Sequence, residues 1–331
     1  MKLKLTMEVW KKLILMGGYK YKNIANITKL TREDWLDLRR KGIGGSDCAA
    51  ACGLNPWKSK AQLFFEKTGQ IESSLEDNEI LRQGRDLEEY VAKRFCEATG
   101  KKVRRNNFMM VDNEYPFMIA DIDREVVGEK TILECKTTSP YGKANWEDGK
   151  IPIQYELQCH HYMAVTGAEK CYIACLIFST DFIIREIERD EEIIEMIRKQ
   201  EEEFWNDYVL ANEVPAPDGT SLYDDSLKKR FKGGIEETKT IEIGNDTFKD
   251  YKERKDLIKK LEKQNKEIEQ TIKLQMEDFN YGENEFLTVS YKPYISNRFD
   301  SKKFKEDEPE LYKKYVKQSE GRRFYLKEIK E

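Results

Sequence analysis

The stretch Thr131-Ile-Leu-Glu-Cys-Lys136 constrains the fold more than any other part of the chain, because it sets two charges into a run whose neighbours favour burial. Threonine, isoleucine and leucine suit a pleated strand, in which residues i and i+2 share a face. Glu134 and Lys136 then project together, and Cys135 points the other way. Upstream, Phe117-Met-Ile-Ala120 leads to Asp123, Arg124-Glu-Val-Val127 follows, and Gly128-Glu-Lys130 supplies a turn. The pattern predicts a hairpin with strands over 117–127 and 131–136, and it puts Asp123 and Glu134 near the open end. Two carboxylates so placed can hold Mg²⁺ through hard oxygen ligands. The neighbouring ammonium can orient or help deprotonate an attacking water and offset charge on phosphorus. This is the arrangement a divalent-metal phosphodiesterase needs.

In a chain with 36% charged residues, Glu-x-Lys also arises by chance, and it recurs at Glu237/Lys239, Glu253/Lys255 and Glu328/Lys330. Those copies lie in a charged tail with no aspartate before them in an apolar setting, so a solvated face explains them. Only the first copy sits in a strand-like context.

The formal net charge of −4 does not advertise a polyanion-binding protein. Residues 185–203, however, hold nine acidic and four basic side chains, a local −5, so the remainder sums to +1 and basic patches can exist elsewhere. Arg39-Arg40-Lys41 and Lys101-Lys102-Val-Arg104-Arg105 are the candidates, the second reading better as ordinary surface. Arg39 stands out because Gly42, Gly44 and Gly45 lead from it to Ser46. A glycine-rich turn entering a small-residue helix offers backbone N–H groups, a hydroxyl and a helix N-terminus to one phosphate.

Seven cysteines, an odd number, favour free thiols over a disulfide framework. The Cys48/Cys52 and Cys171/Cys175 spacings could suggest a metal cluster, but no cysteine follows 175 to close one. Small-residue packing is the better account, and no iron–sulfur cluster is expected. Glu8, Lys11 and Lys12 interrupt any secretion signal before Leu13-Ile-Leu-Met16, and no run is long enough to span a bilayer. The expectation is a cytoplasmic protein with no membrane partner.

With 331 residues and 39% apolar content, the chain can build a core in its first two-thirds. Helical patterns run over 32–41, 46–53, 59–69, 76–99 and 153–166, and strands over 107–111, 117–127, 131–136, 170–178 and 182–187. A last core helix, 190–211, buries Ile193, Ile194, Ile197, Phe204 and Tyr208 before Val214-Pro-Ala-Pro-Asp-Gly219 breaks the pattern. The predicted fold class is α/β (α+β), a mixed sheet flanked by helices of the restriction-endonuclease-like kind. A nuclease core is expected over 1–213, a linker over 214–236 and a C-terminal region over 237–331. That region opens on a long helix, 248–279, with Tyr251, Ile258, Leu261, Ile268, Ile272 and Phe279 on a heptad seam that includes Asn265, the signature of a coiled coil. A hairpin over 285–295 and a helix over 308–318 follow.

Five motifs, in order, resemble those of the YqaJ-type viral recombinases, the family that includes phage lambda exonuclease. They are Trp35-Leu-Asp-Leu-Arg39 through Ser46-Asp to Gly53-Leu-Asn-Pro-Trp, Gly84-Arg-Asp-Leu-Glu88, Ala120-Asp-Ile-Asp123, Leu133-Glu-Cys-Lys136, and Tyr155-Glu-Leu-Gln158-Cys-His-His-Tyr162. Tyr291-Lys-Pro, Asn297-Arg-Phe-Asp300 and Arg322-Arg-Phe324 resemble closing segments of phage members. The resemblance implies a Mg²⁺-dependent exodeoxyribonuclease, with Mn²⁺ as a possible substitute. Such an enzyme digests one strand of double-stranded DNA from a 5′-phosphate end and leaves a 3′ single strand for recombination. It implies Asp123, Glu134, Lys136 and Gln158 as catalytic residues, and metal ligation by Asp123, Glu134 and the Cys135 carbonyl with help from Glu88. It assigns Arg39 and Ser46 to the 5′-phosphate and Tyr155 to DNA. Where many members carry a second glutamine, this chain has His160, which leaves that DNA contact open. His160 and His161 read as partly buried helix residues. The family also implies a single-strand annealing partner, a homo-oligomer that can close into a ring, and a bacterial host. An endonuclease of the same fold, or a catalytically silent DNA-binding or assembly protein, are the rival readings.

Overall fold

The computed structural model describes residues 21–72, 79–318 and 321–328. The N-terminal segment read for a secretion signal, and the first residues of the helix expected from 76, lie outside them. The chain divides into two units, one ending at Lys232 and resuming at Arg322, the other spanning Gly233–Gly321.

The first unit opens with strand β1 (Tyr21–Asn26) and helix α1 (Arg32–Arg40), whose N-cap Thr31 accepts from the Asp34 N–H at 3.1 Å. A two-residue strand β2 (Ile43–Gly44) runs into the short helix α2 (Gly45–Ala51). Helices α3 (Lys60–Lys67) and α4 (Glu79–Thr99) precede strands β3 (Val103–Arg105), β4 (Phe108–Asp112), β5 (Met118–Ala120), β6 (Arg124–Val126) and β7 (Thr131–Thr138). A 3₁₀ stretch over Pro140–Gly149 leads to α5 (Ile153–Thr166), then β8 (Lys170–Ile177), β9 (Asp181–Glu188), α6 (Glu191–Glu203) and, after a π-helical end over Phe204–Leu210, α7 (Ser221–Arg230).

The strands form two sheets, one ordered β1-β4-β5-β2 and the other β3-β6-β7-β8-β9. In the larger sheet β7 and β8 are parallel and the remaining neighbours antiparallel, with α5 as the crossover. Alternation along β7 works as its sequence implies. Leu133 packs with Val91, Ala92 and Phe95 of α4, whereas Ile132 joins the large cluster built on α2, α3 and α5. Full burial of Phe95 contributes about 1.5–3 kcal/mol to holding α4 on the sheet. Helix α5 is buried on nearly every side and stops at Gly167, whose φ of 74° is the left-handed cap conformation that glycine adopts without strain.

Three expectations change. The strand expected over 117–127 breaks at 121–123, because Met118–Ala120 pairs with β4 and β2 while Arg124–Val126 pairs with β3 and β7. The two halves thus belong to different sheets. The helix expected over 190–211 turns π-helical from Phe204. The stretch expected as a linker contains α7, which packs on the first unit through buried Tyr223 and through a 2.7 Å bond between Ser226 and Ser59. Strands β1 and β3 carry no signal that the sequence reading used.

The second unit holds the long helix α8 (Asn245–Met276), a small antiparallel hairpin of β10 (Tyr281–Glu283) and β11 (Thr288–Ser290), and two short helices, α9 (Ser301–Asp307) and α10 (Pro309–Tyr315). The hairpin begins before the range expected for it, the helix expected over 308–318 is α10, and α9 precedes it without having been expected. Tyr251, Ile258, Leu261 and Ile268 of the heptad seam are exposed, and Met276 is the buried residue of α8.

Candidate active site

Glu134 and Lys136 do project from β7 to one side, into a cleft of about 510 Å³ that also receives Glu88, Asp123, Tyr155, Gln158 and Ser46. The Lys136 ammonium donates to Glu134 Oε1 at 2.6 Å and to Gln158 Oε1 at 2.9 Å. The Gln158 amide in turn donates to Glu134 Oε1 at 2.7 Å and to the Tyr162 hydroxyl at 3.2 Å. The three form a closed triangle. Glu134 Oε2, on the other side of the carboxylate, is buried with no hydrogen-bond partner.

Asp123 reaches the same place from the break between β5 and β6. Its Oδ2 accepts from the Cys135 backbone N–H at 2.7 Å, so the main chain of β7 fixes it. The Cys135 thiol belongs to the α4 side of the sheet. Burial, then the nearby Glu134 and Glu88 charges, push Asp123 well above the ordinary aspartate value. Burial likewise raises Glu134, against the opposing pull of Lys136. Burial is the first cause of both shifts: ionising either carboxylate here is unfavourable without further compensation. Lys136 is raised, since Glu134 and Asp123 outweigh the burial that lowers it, and it therefore stays an ammonium at neutral pH.

Glu88 lines the cleft, and its carboxylate is taken up by Arg124, which also pairs with Glu89 at 3.0 Å and donates to the Asp123 carbonyl at 2.6 Å. Arg124, buried in the sheet, was not among the residues the sequence reading singled out. Tyr155 lies beneath Lys136, whose ammonium is 4.8 Å from the ring centroid, and stacks on Trp146 at 5.9 Å with Trp57 at 6.4 Å. The aromatic wall that Trp57 and Trp146 complete was also missed.

Arg39 and Ser46 meet as expected, with Nη2 donating to the hydroxyl at 2.7 Å. What joins them is Asp47, whose buried carboxylate binds Arg39 at 3.0 Å, Lys67 at 2.8 Å and Lys58 at 3.6 Å. Burial alone would raise Asp47, but Lys67, Arg39 and Lys58 hold it well below the usual range. Lys58 also lines the cleft, so a basic corner adjoins the carboxylates. The basic stretch 101–105 is tied up differently, with Lys101 on Glu129 at 2.5 Å and Arg104 on Glu125 at 2.7 Å. The histidines stay out of the cleft cluster. His160 Nδ1 faces the Glu156 carbonyl at 3.0 Å, and His161 is buried among other partners.

A mixed sheet with helices packed on it, carrying Asp123 at the break before β6 and Glu134 and Lys136 on β7, is the mixed α/β arrangement expected from the sequence. The description of a YqaJ-like viral recombinase domain matches residues 34–169. The uncharacterized protein YqaJ of Bacillus subtilis (strain 168) is 44% identical over 92% of this chain and 97% of its own. The chain belongs to the YqaJ family. Among solved structures, an alkaline exonuclease from Laribacter hongkongensis is 21% identical, covering 55% of this chain and 94% of that one, with a TM-score of 0.46. A phage-related exonuclease from Haemophilus somnus 129PT is 16% identical, covering 55% and 100%, with a TM-score of 0.40. Among the described residues, no helix is long and apolar enough to cross a membrane.

Proposed function

We propose that this chain is a divalent-cation-dependent deoxyribonuclease that digests one strand of double-stranded DNA from a 5′-phosphate end and leaves a 3′ single strand for annealing-type recombination. The observation that carries the reading is Glu134 Oε2, a buried carboxylate oxygen without a partner among the described residues, beside the half-buried Asp123 carboxylate. A buried unpaired carboxylate oxygen is unfavourable unless a cation satisfies it. The donors around it are hard oxygens from Asp123, Glu134 and Glu88, with the Cys135 carbonyl as a further candidate, and such a set fits Mg²⁺ or Mn²⁺.

When bound, the cation would supply Lewis acidity and lower the pKa of a water. The chain's own residues do the remainder. Lys136, held as an ammonium, donates toward charge that develops on phosphate oxygen, and Gln158 keeps it from collapsing wholly onto Glu134. Tyr155, backed by the buried Trp146, and the exposed Trp57 offer flat apolar faces on which an unpaired base can stack. Arg39 and Ser46 supply a charged donor and a hydroxyl for a terminal phosphate. Work beside a single-strand annealing protein and assembly into a homo-oligomer complete the reading.

Cation binding has a readout independent of activity. Mg²⁺ added to chelator-treated protein is expected to raise the melting temperature, and Glu134→Gln to remove most of that rise. An unchanged melting temperature in the wild-type protein would count against the metal.

End-labelled linear and closed circular duplexes test the direction of attack. Linear DNA with 5′-phosphates is expected to be degraded faster than the same DNA with 5′-hydroxyls, closed circles to persist, and Arg39→Ala to erase the preference. Efficient cutting of circles would convert the reading to an endonuclease, and no cutting at all to a binding protein.

A further inference from the structure

Away from the cleft, helices α2, α5 and α6 bring Cys48, His161 and Glu201 together, with one potential ligand atom from each within 4.8 Å of the others. All three residues are fully buried. The His161 Nε2–H donates to the Ile119 carbonyl at 2.9 Å, since a carbonyl oxygen can only accept. Nδ1 is left facing Glu201 Oε1 at 2.8 Å, and Glu201 Oε2 is buried with no hydrogen-bond partner. A ring nitrogen and a carboxylate this close need a positive charge between them. A shared proton would serve Oε1 and leave Oε2 bare in the core, a state that folded proteins avoid. A metal ion can serve both oxygens and the thiolate at once.

We propose that Cys48, His161 and Glu201 form a structural Zn²⁺ site, separate from the catalytic cleft. Cys52, which closes α2 and whose side chain interacts with that of Cys48, stands beside this trio but outside its mutual 4.8 Å spacing, so a small inward movement of Cys52, or a water, would complete the set. Zinc takes sulfur, nitrogen and oxygen donors in tetrahedral sets, whereas Mg²⁺ does not take a thiolate. A ligating histidine characteristically spends its other ring N–H on a carbonyl, as His161 does on Ile119. On binding, each cysteine ligand releases its proton to solvent and no electron changes hands. The ion would staple α2, which carries Ser46 and Asp47, to α5, which carries Gln158, and both to α6.

The test uses the full-length protein produced with zinc available, passed through EDTA, and measured for bound metals by elemental analysis. Wild-type protein and the Glu134→Ala variant are expected to retain about one zinc per chain, and Cys48→Ser to lose it. Zinc-free wild-type protein, zinc unchanged in Cys48→Ser, or zinc lost in Glu134→Ala would each overturn the proposal. If Cys48→Ser does not fold, wild-type protein loaded with one equivalent of Co²⁺ decides: a thiolate-to-cobalt absorption band supports the site, and its absence refutes it.

Discussion

Lys136→Ala is expected to lower DNA cleavage by at least about 10²-fold, the contribution of a positioned catalytic group, while duplex binding and cation binding stay near wild type. Among the described residues the ammonium bonds Glu134 and Gln158 and sits over the Tyr155 ring, and Gln158 still donates to Glu134 once it is gone. The carboxylates therefore keep a partner and the fold keeps its core. Single-turnover cleavage, with gel-shift binding measured in parallel, separates the effects. Near-normal cleavage would remove Lys136 from the chemistry, and lost binding would make its role structural.

Asp47→Asn is expected to cost about 3–5 kcal/mol of stability, as removal of one partner from a buried charge cluster does. Asp47 is 4% exposed and faces Arg39, Lys58 and Lys67, so the neutral amide leaves three cations crowded around a group that no longer compensates them. Because the folded pKa lies below the unfolded value, the stabilisation is present above the ordinary aspartate range and is lost as pH falls through the depressed value. Urea titration is the measurement, and the difference between wild type and variant should shrink in acid. A difference that stays constant with pH, or a loss under about 1 kcal/mol, which is the scale of an exposed pair, would show that the cluster is not the electrostatic unit described.

The parts of this architecture that could be read beforehand are those governed by local periodicity. Alternation in 131–136 sets which side Glu134 and Lys136 share, and the pattern over 153–166 gives a helix, but that helix's burial on nearly every side, Gln158 and both histidines included, is not local information. What could not be read depends on partners distant in sequence. The strand expected over 117–127 contains nothing local to break it. The break follows from the two halves pairing in different sheets, with Asp121 held by the Trp35 indole at 3.2 Å from 86 residues away. Asp47 looked like any polar residue in a small-residue helix, because its three cations lie 8 to 20 residues off, outside any local pattern. Arg124 reads as a routine strand charge until α4 lays Glu88 and Glu89 over it.

Gly45 has no room for a side chain. A Cβ there would come within 2.5 Å of the Tyr162 ring, and the Tyr162 hydroxyl accepts from Gln158. The start of α2, where Ser46 and Arg39 meet, is therefore pressed against Tyr162, which in turn bonds Gln158, the residue that touches the lysine and glutamate of the cleft. Under the proposed function, the corner that would seat a strand end and the centre that would cut it are linked through two successive contacts, Gly45 on Tyr162 and Tyr162 on Gln158. The molecule would then act as a gauge, with the distance from a seated end to Lys136 set by packing.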